Sequence, residues 1–476
     1  MITALRSRSR QANLLAPLIA ATVLALAFFL GQRASIRWLG MLAAGLGGLA
    51  LLARPVLGLP VLVLAALVVP IEISTGTQVM LNPAALLVPA LLVLWLLDMV
   101  RRRDLRLAPS RTTTPLLLFL LAGLISLLVG NVFWAPFVPR PGNFTMVQLA
   151  QWAIFAFSAA AFWLTGNLVR DEVWLRRLTV TFLILGGGLA VLRVLPGAGS
   201  LVSRLATLTI DRAPFWLLLT ALAGGQLLFN RQLSAGWRLF LLAVLAAVLF
   251  YAFFLLRESV STWVGVGTVG GVLIWLHWPR LRWLVIVVLL VLASTGVLFS
   301  GIWEFGGGEQ GWMQTGSPRL ALISHTVRLT MRNPILGLGP ASYRFYGDVE
   351  PLVFRGWIIP RMSSHNNYVD LFAQTGLVGL GLFLWFVVEV TRLGLRLRSR
   401  FTEGFAAGYV NGMLAAGAGA LVVMLLADWI LPFVYNIGFP GFQASVLVWL
   451  FLGGLVALEQ LEDKGTGGQG DLETGG

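Results

Sequence analysis

Apolar stretches of roughly 17 residues or more, long enough to cross a hydrocarbon core as a helix, recur from one end of this chain to the other. Lipid offers the backbone no hydrogen-bonding partner, so a spanning segment must satisfy its own N–H and C=O groups as a helix or join a closed barrel. Barrel strands alternate lipid-facing and lumen-facing residues, whereas stretches 14–30, 84–100 and 262–278 are apolar almost throughout. The pattern predicts an all-α, polytopic helical membrane protein. With 58% of its residues hydrophobic and 11% charged, the 476-residue chain has little from which to build a soluble domain.

Counting the apolar runs against their breaks predicts about 14 transmembrane helices. Helices 1–11 fall in residues 1–300, and a large external loop containing a short helix occupies 301–367. Helices 12–14 fall in 368–458, and a Gly-rich, disordered cytoplasmic tail covers 459–476. Residues 12–30 resemble a signal peptide without a clear cleavage site and read as an uncleaved first helix. Threaded alternately, the N-terminus and the basic connectors at 101–111, 170–177, 231–238, 280–282 and 392–400 share one face. The positive-inside rule makes that face cytoplasmic and puts the large loop outside.

The net charge of +14 sits in those short clusters rather than on one soluble surface, which argues against nucleic acid. Absence of Cys excludes a disulfide framework and thiolate chemistry. The three His are far apart and no carboxylates pair at ligand spacing, so no metal site is expected.

Chemistry has to come from the loop and the charges that face it. Residues 317–333 (SPRLALISHTVRLTMRN) have apolar positions at helical spacing, with a Ser and a Pro at the start, which predicts an external helix of about four turns. Pro334, Gly337 and Gly339 then stop it in a sharp turn. The chain re-enters the membrane at Ser363-Ser364-His365-Asn366. In the first turn of the twelfth span, His365 would feel the positive helix end and nearby Arg361, both of which disfavour the imidazolium. A neutral imidazole there can accept a proton, or simply cap the helix among lipid headgroups. His325, in mid-helix, reads as structural, and His277 as interfacial at the cytoplasmic end of the tenth span.

Arg204, Arg212, Arg257, Arg319, Arg344, Arg355 and Arg361 all fall on the proposed external face, with Arg212 and Arg257 at span boundaries. Guanidinium forks suit a departing diphosphate, because they hold its oxygens and offset charge that grows as a bond breaks. Each Arg alone is equally explained by interfacial snorkelling.

Arg319 in a loop helix, Pro334-x-x-Gly337-x-Gly339, His365-Asn366 and Gly376-x-x-Gly379 follow one another in the order seen in the O-antigen ligase and polymerase family of bacterial envelope glycosyltransferases, which this chain resembles over about 80 residues. The resemblance implies transfer of a glycan from an undecaprenyl-diphosphate carrier to an acceptor hydroxyl. The acceptor would be a glycan, a lipid or a protein, and the site the periplasmic side of the bacterial inner membrane. It implies no cofactor and no metal. His365 would activate the acceptor, while Arg212, Arg257, Arg319, Arg361 and Asn366 would bind substrate. Around Arg257 the text RESVSTWVG departs from the family's usual spacing of Arg and Trp. The competing class is a flippase that carries the lipid-linked glycan without chemistry; it calls for mid-membrane charges and paired broken helices.

Overall fold

The computed structural model describes residues 50–74, 80–294, 317–359 and 363–473, together with 45, 47, 48 and 313. The first expected span, most of the second, the Gly-rich start of the loop and Arg361 lie outside the described residues. The chain divides into two units, 1–57 and 58–476. In the first, helical residues 50–53 lead to the 3-10 turn Pro55–Leu57.

The second unit is helical nearly throughout. In chain order it runs α1 (Gly58–Val68), a two-residue hairpin of β1 (Ile73–Ser74) and β2 (Met80–Leu81), α2 (Pro83–Arg102), α3 (Thr113–Val132), α4 (Phe144–Leu168) and α5 (Glu172–Val194). Short α6 (Gly199–Leu205) precedes α7 (Ala213–Phe229), and α8 (Ala235–Phe250) continues as a π turn, Tyr251–Leu255. Then come α9 (Val260–His277), α10 (Arg282–Ser294), the loop helices α11 (Ser317–Thr330) and α12 (Tyr343–Val349), and the hairpin β3 (Leu352–Phe354) and β4 (Trp357–Ile359). The chain closes with α13 (Asn367–Arg400), α14 (Gly404–Leu426) and α15 (Gly438–Glu473). Among the described residues, nine helices are long and apolar enough to cross a membrane, and Ala213–Phe229 is a shorter apolar one. These bear out the expected polytopic helical class.

Helix α15 is assigned to Glu473 and so enters the stretch expected to be a disordered tail. Ion pairs hold the beginning of that extension: Arg396 with Glu459, and Arg400 with Glu462 at 3.1 Å.

Helix α7 is apolar on every side, and from Ala213 to Gln226 each of its residues is buried, as an all-round hydrophobic helix must be when protein surrounds it. It lies against α9 and α14. In lipid there is little hydrophobic drive to pair helices, so close packing has to supply the attraction, and small residues let backbones approach. Gly225 of α7 meets Gly408 and Gly412 of α14 in this way; a Cβ on Gly225 would lie 2.9 Å from the Gly412 Cα.

Several of the basic connectors are tied to neighbouring helix ends. Arg231 pairs with Glu403 at 3.7 Å, the Ala108 N–H donates to Asn167 at 2.7 Å, Gln460 donates to the Pro109 carbonyl at 2.9 Å, and Arg398 donates to Asn411 at 2.9 Å. The loop elements occupy the opposite ends of the helices. A polar seam fastens them there: Asn131 donates to Gln148 at 2.8 Å, Gln148 to Ser342 at 3.1 Å, and the Ala341 N–H to the Gln374 side chain at 3.1 Å.

Helix α13 is broken at Gly376, whose φ of 67° and ψ of −169° leave the helical region. The turn 334–338 fills the gap. Pro334 and Ile335 carbonyls accept from Leu377 and Val378 N–H groups at 2.9 and 3.1 Å, and the Leu338 N–H donates to Ala373 O at 2.8 Å. A spanning helix tolerates such a break only where neighbouring protein replaces the lost partners. Pro-x-x-Gly-x-Gly and Gly-x-x-Gly are thus two halves of one joint, which seats the loop between α10 and α13 on the head of α13.

Candidate functional site at the head of α13

Asn366 caps α13, its side-chain oxygen accepting from the Tyr368 and Val369 N–H groups at 3.0 and 3.1 Å, which satisfies two of the orphan donors of a helix start. Its amide donates to the Leu425 carbonyl at 2.9 Å. Asn367 reaches the segment beyond, donating to Leu431 O at 2.7 Å and accepting from Ile430 and Leu431 N–H groups. Asn366 therefore ties the end of α14, and Asn367 the connector between α14 and α15, residues 427–437, to the head of α13.

With Asn366 as the cap, His365 lies one residue outside the helix rather than in its first turn as expected, and it adopts a left-handed φ of 50°. That turn aims the ring at the stapled connector. His365 Nδ1 is 3.9 Å from Asp428 Oδ1 and 3.3 Å from the Asn436 amide nitrogen, which also donates to Asp428 Oδ1 at 2.8 Å. Side-chain exposure is 37% for His365 and 2% for Asp428, so the imidazole is open to an approaching molecule while the carboxylate stands behind it. The other Asp428 oxygen accepts from the Phe433 N–H at 3.1 Å.

Arg319 enters from α11. It donates to the Leu426 carbonyl at 2.9 Å, and its charge acts on both His365 and Asp428. Burial is the main cause that holds the His365 imidazole below its ordinary value; Arg319 adds to this and Asp428 opposes it. The cation that adds to this shift is Arg319; Arg361 lies outside the described residues. Burial raises the Asp428 carboxyl, with His365, the Phe433 N–H and the Asn436 amide pulling it back down.

Arg212 approaches from a third direction. As the residue before α7, it lays its guanidinium over the Trp429 ring at 4.9 Å, next in sequence to Asp428. The Trp429 indole N–H in turn donates to Ser261 at 3.1 Å. The Arg212 Nε is buried and has no hydrogen-bond partner among the described residues. Arg257 is exposed in the turn that leads into α9, the helix that carries Ser261. Arg344 ties the loop to the connector beside Asn436, and Arg355 serves the loop itself. The former donates to Tyr435 O at 3.3 Å, and the latter donates to Ser317 at 3.1 Å. His325 is structural as expected, one ring nitrogen lying 2.7 Å from Glu350 O, and His277 packs on Phe229 and Trp278.

Beneath the imidazole lies a rigid floor absent from the sequence reading. Tyr343 and Ser364 hydroxyls both donate to Asp370 Oδ1 at 2.7 Å, and the Tyr343 ring stacks on Phe433 at 4.8 Å. Asp428 and Asn436 were missed too. The signal was there in DWILPFVYNIGFP, a lone acid and two potential amide and hydroxyl partners in an otherwise apolar external connector, although nothing in sequence alone brings it within reach of His365.

A neutral imidazole can take a proton, and a buried carboxylate 3.9 Å away offsets the charge it then carries. Cations on two sides favour an anionic ligand in front of it. No curated protein matches the chain. Residues 245–384, which hold Arg257, Arg319 and His365, match the family model described as O-Antigen ligase, and so bear out the resemblance to the O-antigen ligase and polymerase family.

Proposed function

We propose that this protein is an integral-membrane glycosyltransferase that moves a glycan from an undecaprenyl-diphosphate carrier onto an acceptor hydroxyl at the external face of a bacterial inner membrane. The observation that carries this reading is the pairing of a half-open His365, backed by buried Asp428, with the guanidiniums of Arg319 and Arg212 on the same stapled connector.

In this mechanism His365 is the base, and Asp428, 3.9 Å from Nδ1, offsets the charge of the imidazolium that forms. The imidazole takes the acceptor's hydroxyl proton as that oxygen attacks the anomeric carbon. The bond from that carbon to the carrier diphosphate breaks on the opposite face, and the leaving diphosphate keeps the electron pair. Inversion follows. Arg212 and Arg319, joined by Arg257, would hold the diphosphate and offset its growing charge, a role the family resemblance also gives Arg361. A diphosphate leaves without a general acid, so one base and a cationic cradle suffice, without metal.

The test uses the purified protein in lipid nanodiscs with a glycan linked to a polyprenyl diphosphate and a polysaccharide or lipid acceptor, scored for free carrier diphosphate in excess chelator. Release that depends on acceptor supports the transferase. Transbilayer movement of the donor with no release would instead make the protein a flippase.

A further inference from the structure

Below the connector, α13, α14 and α15 enclose a cavity of about 190 Å³ lined by Phe383, Phe386, Gly417, Leu421, Ile430 and Trp449 among others. Its polar neighbours are already satisfied. The Trp449 indole N–H donates to the Ile430 carbonyl at 3.1 Å, and the Thr391 hydroxyl donates to Val387 O within its own helix at 2.9 Å. A ligand with polar groups would find no partner here, whereas a hydrocarbon would lose nothing. Phe386 and Trp449 are stacked at 5.6 Å and form a fixed aromatic wall.

The space has a cause in the sequence. One side of α14 packs closely, with Gly419 against Val269 of α9, while Gly417 on another side has nothing within 4 Å of where a Cβ would stand. From Met413 to Met424 the lining of α14 covers about 16 Å along the helix axis. The upper end is Ile430, whose N–H is held by Asn367 and which lies two residues beyond Asp428. Exposed Leu384, Trp385 and Val388 line the lipid-facing side of α13 beside it.

We infer that this groove holds the hydrocarbon chain of the lipid-linked donor, the isoprenoid units nearest the diphosphate, while Arg319 and Arg212 hold the head. The inference rests on the transferase reading for the identity of the donor. Continuity carries it: the connector 427–431 presents Asp428 and the Trp429 platform above and Ile430 below, so a molecule with its anion at the guanidiniums has its tail at the groove mouth. A volume of 190 Å³ takes on the order of six water-sized units, roughly one isoprene unit and its neighbour's first atoms. The remaining tail stays in the bilayer.

Because lipid tails are as apolar as the groove, the gain on entry comes from fit and not from escape from water. Filling the groove should therefore act on donor affinity alone. Gly417→Leu places a side chain into the open space and replaces a poor helix former with a good one, so the fold is kept. Gly381→Leu is the control; Gly381 also has nothing within 4 Å of a Cβ but does not line the cavity.

The experiment has a binding arm and a turnover arm. A polyprenyl diphosphate bearing a photoreactive group on its first isoprene unit is crosslinked to the full-length protein in nanodiscs, and labelled peptides are mapped. Expected is labelling within 383–391 or 413–424, abolished in Gly417→Leu and retained in Gly381→Leu. In turnover, Gly417→Leu raises KM for the donor about tenfold or more with kcat unchanged, the effect of altering an apolar pocket by a methylene or more. Labelling elsewhere, labelling undiminished in Gly417→Leu, or equal displacement by excess phospholipid would overturn the inference. Failure of the transferase reading would show separately, as absence of turnover in the wild type with any donor.

Discussion

Gly337 and Gly376 meet backbone to backbone: a Cβ on Gly337 would stand 2.6 Å from the Gly376 amide nitrogen. Both residues also have positive φ, 76° and 67°. This joint is where the loop that carries Arg319 is fixed on α13, so the placing of Arg319 beside His365 depends on it.

Alanine at either glycine should destabilise the protein by about 1–3 kcal/mol or more, since strained backbone adds to steric overlap. Thermal unfolding in detergent checks this, with Gly270→Ala as a neutral control because a Cβ there meets open space. Equal melting temperatures for all three variants would contradict the joint.

The pH dependence of turnover has a sign fixed by the neighbours of His365. The neutral imidazole is the active form, and its value is held below the ordinary 6.5. Activity should then be fully present above that ordinary value and fall only as pH drops through the lowered one. Arg319→Gln removes a cation and should move the acid limb to higher pH, whereas Asp428→Asn removes the group that favours the imidazolium and should move it lower. The limb is read on kcat at saturating donor, where weaker binding does not interfere. Shifts in the same direction would refute the assignment.

Arg212→Lys tests whether the buried Nε awaits an anion. Lysine keeps the charge but loses the fork and the flat stacking on Trp429. A charge-assisted hydrogen bond contributes about 1.5–3 kcal/mol, so lipid-diphosphate affinity should drop tenfold or more. Unchanged affinity in equilibrium binding would assign Arg212 to packing alone.

On the opposite face, Arg396→Ala leaves nearly buried Glu459 without its partner. A loss of about 1–3 kcal/mol in stability is expected, recovered in part by adding Glu459→Gln, with activity per folded molecule unaltered. Denaturant titration of the single and double variants, beside turnover, separates this scaffold role from the chemistry.

Much of the architecture was legible because lipid imposes one solution on a long apolar run. Helices at 144–168, 172–194 and 404–426 fall where the hydropathy places them, and α11 begins at the Ser317-Pro318 signal. The site was legible only in part. His365 stood out as a polar residue at a membrane re-entry, and Arg212 as a charge at a span boundary. Its partners did not, because Asp428 is 63 residues further on and is brought back by Asn366 and Asn367 tying down the end of α14 and a connector that has no periodic pattern. The break at Gly376 was equally hidden: a glycine in an apolar run reads as helix until the turn at 334–338 is seen to occupy its hydrogen bonds.

The central claim is that His365 accepts the acceptor's proton without holding the donor. Its most direct test is single-turnover transfer by His365→Ala alongside equilibrium binding of the lipid-diphosphate donor to the same preparation. The rate should fall by about 10²–10⁴, the usual contribution of a positioned base, with donor affinity within about twofold of wild type. Transfer at the wild-type rate, or a loss of rate that merely follows a loss of donor binding, would contradict it.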